Sequence, residues 1–188
     1  MLVAFDFDGT LSDSEMTDLL GARQGIAEEI TSITERAMND EISYAESLRD
    51  RARLLGGLPE SKAQEAFDEV VLRPGAAEVL QTIDEAGHTT AILTGGFTAG
   101  VEAALDRAGV SVDHLVANDL PVENGELTGD VTGPLIEGTK DDALDDLAAD
   151  LGLVLADTVA VGDGANDLPM LEVAGLSVGY QPKPAVGP

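Results

Sequence analysis

The chain has no cysteine and no tryptophan, and it carries only 2 histidines and 10 basic residues in 188. Without cysteine there is neither a disulfide framework nor a thiolate nucleophile. With His88 and His114 as the whole histidine complement, a multi-histidine zinc centre is not expected. The 10 Lys and Arg stand against 36 Asp and Glu, for a formal net charge of −26. That balance argues against nucleic acid and against anionic membranes as partners, because both need a positive footprint. Long apolar runs are missing as well, and none approaches the ~18 residues of a membrane span. The opening Met1-Leu2-Val3-Ala4-Phe5-Asp6 has no basic n-region. No signal peptide is therefore expected, and the protein is expected to be soluble and cytoplasmic.

What is present is enough for a core. Hydrophobic residues make up 44% of the chain, so the charge does not imply wholesale disorder. The length suits one domain, or one domain with an insertion. The acids are spread along the chain rather than gathered in a tail. Only three lysines remain, Lys62, Lys140 and Lys183. So large a net charge destabilises a compact state unless salt screens it, which points to a protein of a high-salt cytoplasm.

Residues 2–6 are apolar nearly throughout, as in a parallel strand buried on both faces. From Asp13 to Arg73 the pattern is helical, with breaks expected at Gly21, Gly25, Gly56-Gly57 and Pro59. A further helix is expected from Pro74 to Ala86. Strands and helices then alternate: strand 89–93, helix 98–108, strand 112–117, helix 140–150, strand 158–161, helix 167–173 and strand 176–178. An Asn-Gly hairpin signal sits at 123–126. Gln181–Pro188 has no helical or strand pattern. The alternation predicts an α/β fold, a doubly wound, Rossmann-like parallel sheet. The predicted core comprises 1–13 and 73–188, and 14–72 is a helical insertion after the first strand.

Four segments at strand ends or helix starts could carry chemistry. Asp6-Phe7-Asp8-Gly9-Thr10 brings two carboxylates out of a buried strand, an arrangement that a divalent cation would compensate. Leu93-Thr94-Gly95-Gly96 offers a hydroxyl and backbone N–H groups before a helix. Lys140 opens a helix, where a cation is disfavoured by the helix dipole. Val161-Gly162-Asp163-Gly164-Ala165-Asn166-Asp167 is a dense Gly/Asp/Asn loop that does not follow the EF-hand pattern. Alone, each also fits an ordinary turn, or for Lys140 a charge balanced by Asp141 and Asp142. In a doubly wound sheet, however, all four converge on one crevice, as a phosphate-ester site with a metal would require.

These four motifs resemble those of the haloacid dehalogenase superfamily of phosphatases. Within it the chain is similar to the phosphoserine phosphatases through 5–15, Tyr44–Arg51, 94–97, Leu127-Thr128-Gly129-Asp130-Val131 and 157–167. The resemblance covers nearly the whole chain. It implies hydrolysis of a small-molecule substrate, O-phospho-L-serine, as the last step of serine biosynthesis. Asp6 would be the nucleophile and Asp8 the general acid/base. Mg²⁺ would be held by the side chains of Asp6 and Asp163 and the carbonyl of Asp8. Thr94, Gly95, Lys140 and Asn166 would bind the phosphoryl group, and Asp167 would orient Lys140 or the metal waters. Glu15 would meet the substrate ammonium and Arg51 its carboxylate, with Arg49 and Arg53 as competitors for that second role. Two features depart from the family. Gly9 stands where many phosphoserine phosphatases have Ser. The chain also stops soon after the last strand, where a further strand and helix are expected to follow. The alternatives are a related phosphatase or phosphotransferase for another metabolite phosphate, and a non-enzymatic phosphate-binding module.

Overall fold

A computed structural model describes residues 1–39, 41–184 and 186. Five parallel strands form one sheet in the order β3-β2-β1-β6-β7. They are β1 (Leu2–Phe5), β2 (Thr89–Phe97), β3 (His114–Asn118), β6 (Thr158–Gly162) and β7 (Leu176–Gly179). A small antiparallel pair, β4 (Val122–Glu123) and β5 (Glu126–Leu127), stands apart. Central β1 explains its own sequence. Leu2 and Ala4 pack on one face with Leu144, Ala148 and Met170. Val3 and Phe5 pack on the other with Leu80, Val101 and Leu105. Both faces are covered, so the strand has no polar side.

The helices supply that cover. α5 (Ala76–Glu85) and α6 (Thr98–Ala108) carry the residues of the second face. α7 (Lys140–Asp150) and α8 (Leu168–Val173) carry those of the first. Between β1 and α5 come four helices: α1 (Met16–Gln24), α2 (Ala27–Met38), α3 (Tyr44–Leu54) and α4 (Glu60–Phe67). Leu20, Leu48, Leu55 and Phe67 join α1, α3 and α4 to the Phe5–Phe97 side of the core. The β4–β5 hairpin fastens the α3–α4 connection from below, through Gly57 N to Leu127 O at 2.8 Å and Leu127 N to Leu58 O at 2.9 Å. Asn124 and Gly125, with φ of 52° and 82°, make its turn, as an Asn-Gly pair does.

Several boundaries differ from the sequence expectation. Gly21 does not break α1 but lies inside it, where a Cβ would come within 2.9 Å of Ile30. Its missing side chain lets α1 and α2 approach. Gly25, at φ 78°, ends α1 instead. Pro74 stays outside α5, because Gly75 takes the left-handed conformation at its start. Strand β2 runs on through Gly95 and Gly96 to Phe97, with a register shift between Leu93 and Phe97. The two glycines are therefore strand residues rather than a helix N-terminus, since α6 begins at Thr98. Asp167 closes a 3-10 turn, and α8 starts one residue later. Of the patternless tail, residues 185, 187 and 188 lie outside the described residues.

Candidate active site

The crevice lies at the carboxyl ends of β1, β2 and β6, where side chains from separate strands can converge. Asp6 follows β1 and is anchored by its own N–H to Val161 O at 2.9 Å. Its Oδ1 accepts from Lys140 Nζ at 2.5 Å and its Oδ2 from Thr10 Oγ1 at 3.2 Å. Lys140 also donates to Asp167 Oδ1 at 2.6 Å. Asp167 Oδ2 accepts in turn from the backbone N–H groups of Asp163 and Gly164, both at 2.9 Å. Asp6, Lys140, Asp163 and Asp167 are all buried. The partners of Lys140 are thus 134 and 27 residues away in sequence. Asp141 and Asp142 engage the Thr139 hydroxyl instead, so local charge balance does not account for Lys140.

The electrostatics follow from burial. Desolvation pushes Asp6 up to about 6, against the pull of Lys140, and Asp167 adds to the rise. Asp8 is held well above the usual carboxylate range by desolvation and by the charges of Glu15 and Asp6. Its Oδ2 accepts a long bond from Met16 N at 3.5 Å, while Oδ1 is buried with no partner among the described residues. Lys140 is driven the other way: burial lowers its pKa, but Asp6 and Asp167 outweigh that and hold it above its ordinary value.

These donors fit a divalent cation. One ligand oxygen each from Asp6, Asp163 and Asp167 falls within 4.8 Å of the others. Asp6, Asp163 and Asp167 face two ammonium groups, Lys140 and Lys183, an excess of one negative charge before Asp8 is counted. Lys183 Nζ lies 3.0 Å from Asp163 Oδ2, a cation already drawn to this carboxylate. Asp167 is a poor ligand, since both of its oxygens are occupied by Lys140 and the two N–H groups. Gly9, at φ 92°, belongs to the same packing: a Cβ there would lie 2.4 Å from Asp163 Oδ2.

Above the carboxylates, α1 and α3 roof a cavity of ≈ 680 Å³ lined by Asp6, Asp8, Glu15, Arg51, Thr94, Gly95, Asp163 and Asn166 among others. Lys140 instead lines an adjoining cavity of ≈ 110 Å³ that shares Gly95 and Asn166 with it. Thr94 is buried and its Oγ1 accepts from Gly96 N at 3.0 Å. Glu15 sits at the start of α1, and its carboxyl is raised by desolvation and by Asp18 and Asp163, with Lys183 and Arg51 opposing.

Arg51 is the cation of the roof. It is 9% exposed and donates to Thr17 Oγ1 at 2.9 Å and Ser47 O at 3.3 Å. Among the described residues it has no carboxylate partner. Arg49 pairs with Glu137 and Arg53 with Asp50, both on the outer surface and neither lining the cavity.

Sequence reasoning missed four residues here. Asn118, fully buried, donates to Gly95 O and Leu135 O at 3.2 Å and fixes the backbone of Gly95. Ser47 lines the cavity with a buried hydroxyl that has no partner among the described residues. Tyr44 lines both cavities. Lys183 brings a second ammonium into the crevice, and its rarity as one of three lysines was the available signal.

The comparisons with known proteins agree with this geometry. The model of the haloacid dehalogenase-like hydrolase family matches residues 3–172. The phosphoserine phosphatase of Halobacterium salinarum is 56% identical over 98% of this chain and 88% of its own length. That of Methanocaldococcus jannaschii is 39% identical over 97% and 86%. A solved structure described as a phospho-aspartyl intermediate analogue of phosphoserine phosphatase superposes with a TM-score of 0.89, at 38% identity over 97% of this chain and 87% of that one. A substrate-bound phosphoserine phosphatase complex gives 0.90 at the same identity and coverage. With the family's four motifs gathered in one crevice and its model spanning both sheet and roof, the chain belongs to the haloacid dehalogenase-like hydrolases.

Proposed function

We propose that this chain is an Mg²⁺-dependent phosphoserine phosphatase, with residues 1–13 and 73–188 as the catalytic core and 14–72 as a cap that closes over the substrate. The observation that carries the reading is Arg51. A buried guanidinium without a carboxylate partner is costly, and this one roofs the cavity whose floor holds Asp6 and Asp8. A small phosphate ester that brings its own carboxylate satisfies Arg51 at one end and the core at the other. Glu15, on the same cavity wall, suits the ammonium of that substrate. The named relatives support the same substrate.

The chemistry then follows from the residues. Asp6 attacks phosphorus and forms an aspartyl-phosphate. Asp8, whose carboxyl is held well above the usual carboxylate range by burial and by its acidic neighbours, donates a proton to the seryl oxygen as the P–O bond breaks. The Asp8 carboxylate next takes a proton from the water that attacks the aspartyl-phosphate, and phosphate leaves with Asp6 restored. Thr94, Gly95, Lys140 and Asn166 hold the phosphoryl oxygens. Asp167 keeps Lys140 aimed at Asp6. The Asp6 and Asp163 side chains and the Asp8 carbonyl would hold Mg²⁺, which when bound would supply positive charge against the phosphoryl oxygens.

Phosphate release from a panel of phosphomonoesters tests the reading, and Arg51 provides the internal control. Arg51→Ala is expected to lower kcat/KM for O-phospho-L-serine by about 10²-fold or more, with far less effect on an ester lacking a carboxylate. An equal loss on both removes Arg51 from recognition. A wild-type enzyme that prefers another ester favours the related-phosphatase reading.

The net charge of −26 gives a second expectation. The proposed substrate is an anion, and the acids repel both it and one another at low salt. At about 1 M salt the Debye length is about 3 Å, so distant acids are screened while Arg51 and Lys140 still act in contact. Raising KCl from about 0.1 M to about 1 M is expected to increase kcat/KM and to raise the Tm by about 5 °C or more. A protein equally stable and active at both concentrations would show that the acid excess is no adaptation to salt.

A further inference from the structure

Helix α3 presents one face to the cavity, with Tyr44, Ser47, Leu48 and Arg51 all lining it. Their spacing of three, four and seven residues is that of a single helical face. Tyr44 and Arg51 stand about 10 Å apart along the helix axis, at 1.5 Å per residue. Arg51 lies at the end where Thr17 and Glu15 gather. Tyr44 lies at the opposite end, over the core.

The Tyr44 hydroxyl is lodged against the backbone of Gly95, so close that a Cβ on that glycine would fall 1.7 Å from Oη. Gly95 is thus the residue whose missing side chain admits the phenol. Asn118 holds the same glycine from beneath through Gly95 O. The phenol also divides the ≈ 680 Å³ cavity from the neighbouring ≈ 110 Å³ one, where Lys140, Thr139 and Asn166 stand. Asp6, Asp8 and Arg51 line the larger cavity and Lys140 the smaller, so a side chain that lines both stands between the reacting groups. Among the described residues, no hydrogen bond engages its O–H.

We infer that the Tyr44 hydroxyl is a catalytic group, a hydrogen-bond donor that the cap lowers onto the phosphoryl oxygens alongside Gly95 and Lys140. This rests on the phosphomonoester chemistry proposed above and adds a cap residue to a phosphoryl cradle otherwise built from the core alone. An ordinary phenol titrates at about 10, so the hydroxyl is a donor at neutral pH. A donor that reaches a charged phosphoryl group only when the cap is seated couples closure to chemistry.

Tyr44→Phe keeps the ring in place and removes the hydroxyl, which is both the donor and the atom lodged against Gly95. Kinetics on O-phospho-L-serine and on p-nitrophenyl phosphate, with inorganic phosphate binding by calorimetry, test the assignment. The expected result is a fall in kcat of about 10–100-fold on both esters, weaker phosphate binding, and an unchanged Tm. Unaltered kinetics on both esters would overturn it. A loss confined to O-phospho-L-serine would also overturn it, because the hydroxyl would then serve the amino-acid end. A wild-type preference for some other ester would defeat the substrate reading alone, since the comparison of Tyr44→Phe with wild type on p-nitrophenyl phosphate would still decide the role of Tyr44.

Discussion

Asp6→Asn is expected to lower kcat on O-phospho-L-serine by about 10⁴–10⁶-fold, the cost of deleting a nucleophile that acts with its neighbours as one unit. The substitution removes the charge and nucleophilicity of one carboxylate and changes little else. The Asn carbonyl can still accept from Thr10 or Lys140, which hold Asp6 at 3.2 and 2.5 Å. Lys140 also keeps its bond to Asp167 at 2.6 Å. Folding should therefore survive. Metal-free Asp6→Asn is expected to match wild type in stability or exceed it, because a buried carboxylate pushed up to about 6 no longer has to ionise at neutral pH. A chase with ³²P-labelled substrate and acid quench should leave hydroxylamine-labile label on wild type and none on Asp6→Asn. Retained turnover in freshly purified variant, or label that persists on it, would remove Asp6 from the nucleophile role. Asp8→Asn should behave differently on an ester with a good leaving group. That leaving group needs no proton, so label accumulates while its release is slow.

Much of this was legible in the sequence, for physical reasons that can be named. β1 announced itself because burial on both faces of a parallel sheet leaves no polar alternation between Leu2 and Phe5. Helix α7 was found at its observed bounds, as was α6, which Gly109 closes at φ 67°. The carboxylates and glycines of the site stood at strand ends, where a doubly wound sheet collects them. The failures share a different cause. Gly95-Gly96 had the composition of a turn, but pairing of Phe97 with Asn118 carries β2 through it, a contact between residues 21 apart in sequence. Lys140 had acids beside it, yet its partners come from β1 and the 163–167 loop. Three arginines at 49, 51 and 53 could not be ranked by spacing alone. The family resemblance singles out Arg51 among them, and the packing of α3 turns Arg51 inward while Arg49 and Arg53 face outward. Tyr44 and Ser47 carried no signal, because a helix face turned toward a cavity has the same periodicity as one turned toward a core.

Lys140→Met is expected to be the most destabilising single substitution in the crevice, by about 3–5 kcal/mol at pH 8 in the absence of divalent metal. The methionine fills much the same space, so the loss is electrostatic rather than a cavity. It leaves Asp6 and Asp167 buried and facing each other without the ammonium that now bridges them at 2.5 and 2.6 Å. The sign of the pH dependence follows. Already in wild type Asp6 is raised to about 6 in the fold, against the ordinary carboxylate value of about 3.9 in the unfolded chain. Without Lys140 it rises further, so the folded variant binds more protons than the unfolded one across a wider range. The stability of the variant should therefore fall as pH rises from about 4 through neutrality, more steeply than that of wild type, and the deficit should shrink toward pH 5. Two further measurements separate charge from packing. Adding Mg²⁺ should recover part of the deficit, since a cation in the same cluster offsets the same carboxylates. Combining Lys140→Met with Asp6→Asn should recover part as well, because one of the two stranded charges is gone. Urea denaturation at pH 5 and pH 8, with and without Mg²⁺, reads all of these. A deficit below about 1 kcal/mol at pH 8, or one that neither acid, metal nor the second substitution reduces, would mean that Lys140 does not hold the buried carboxylates in place.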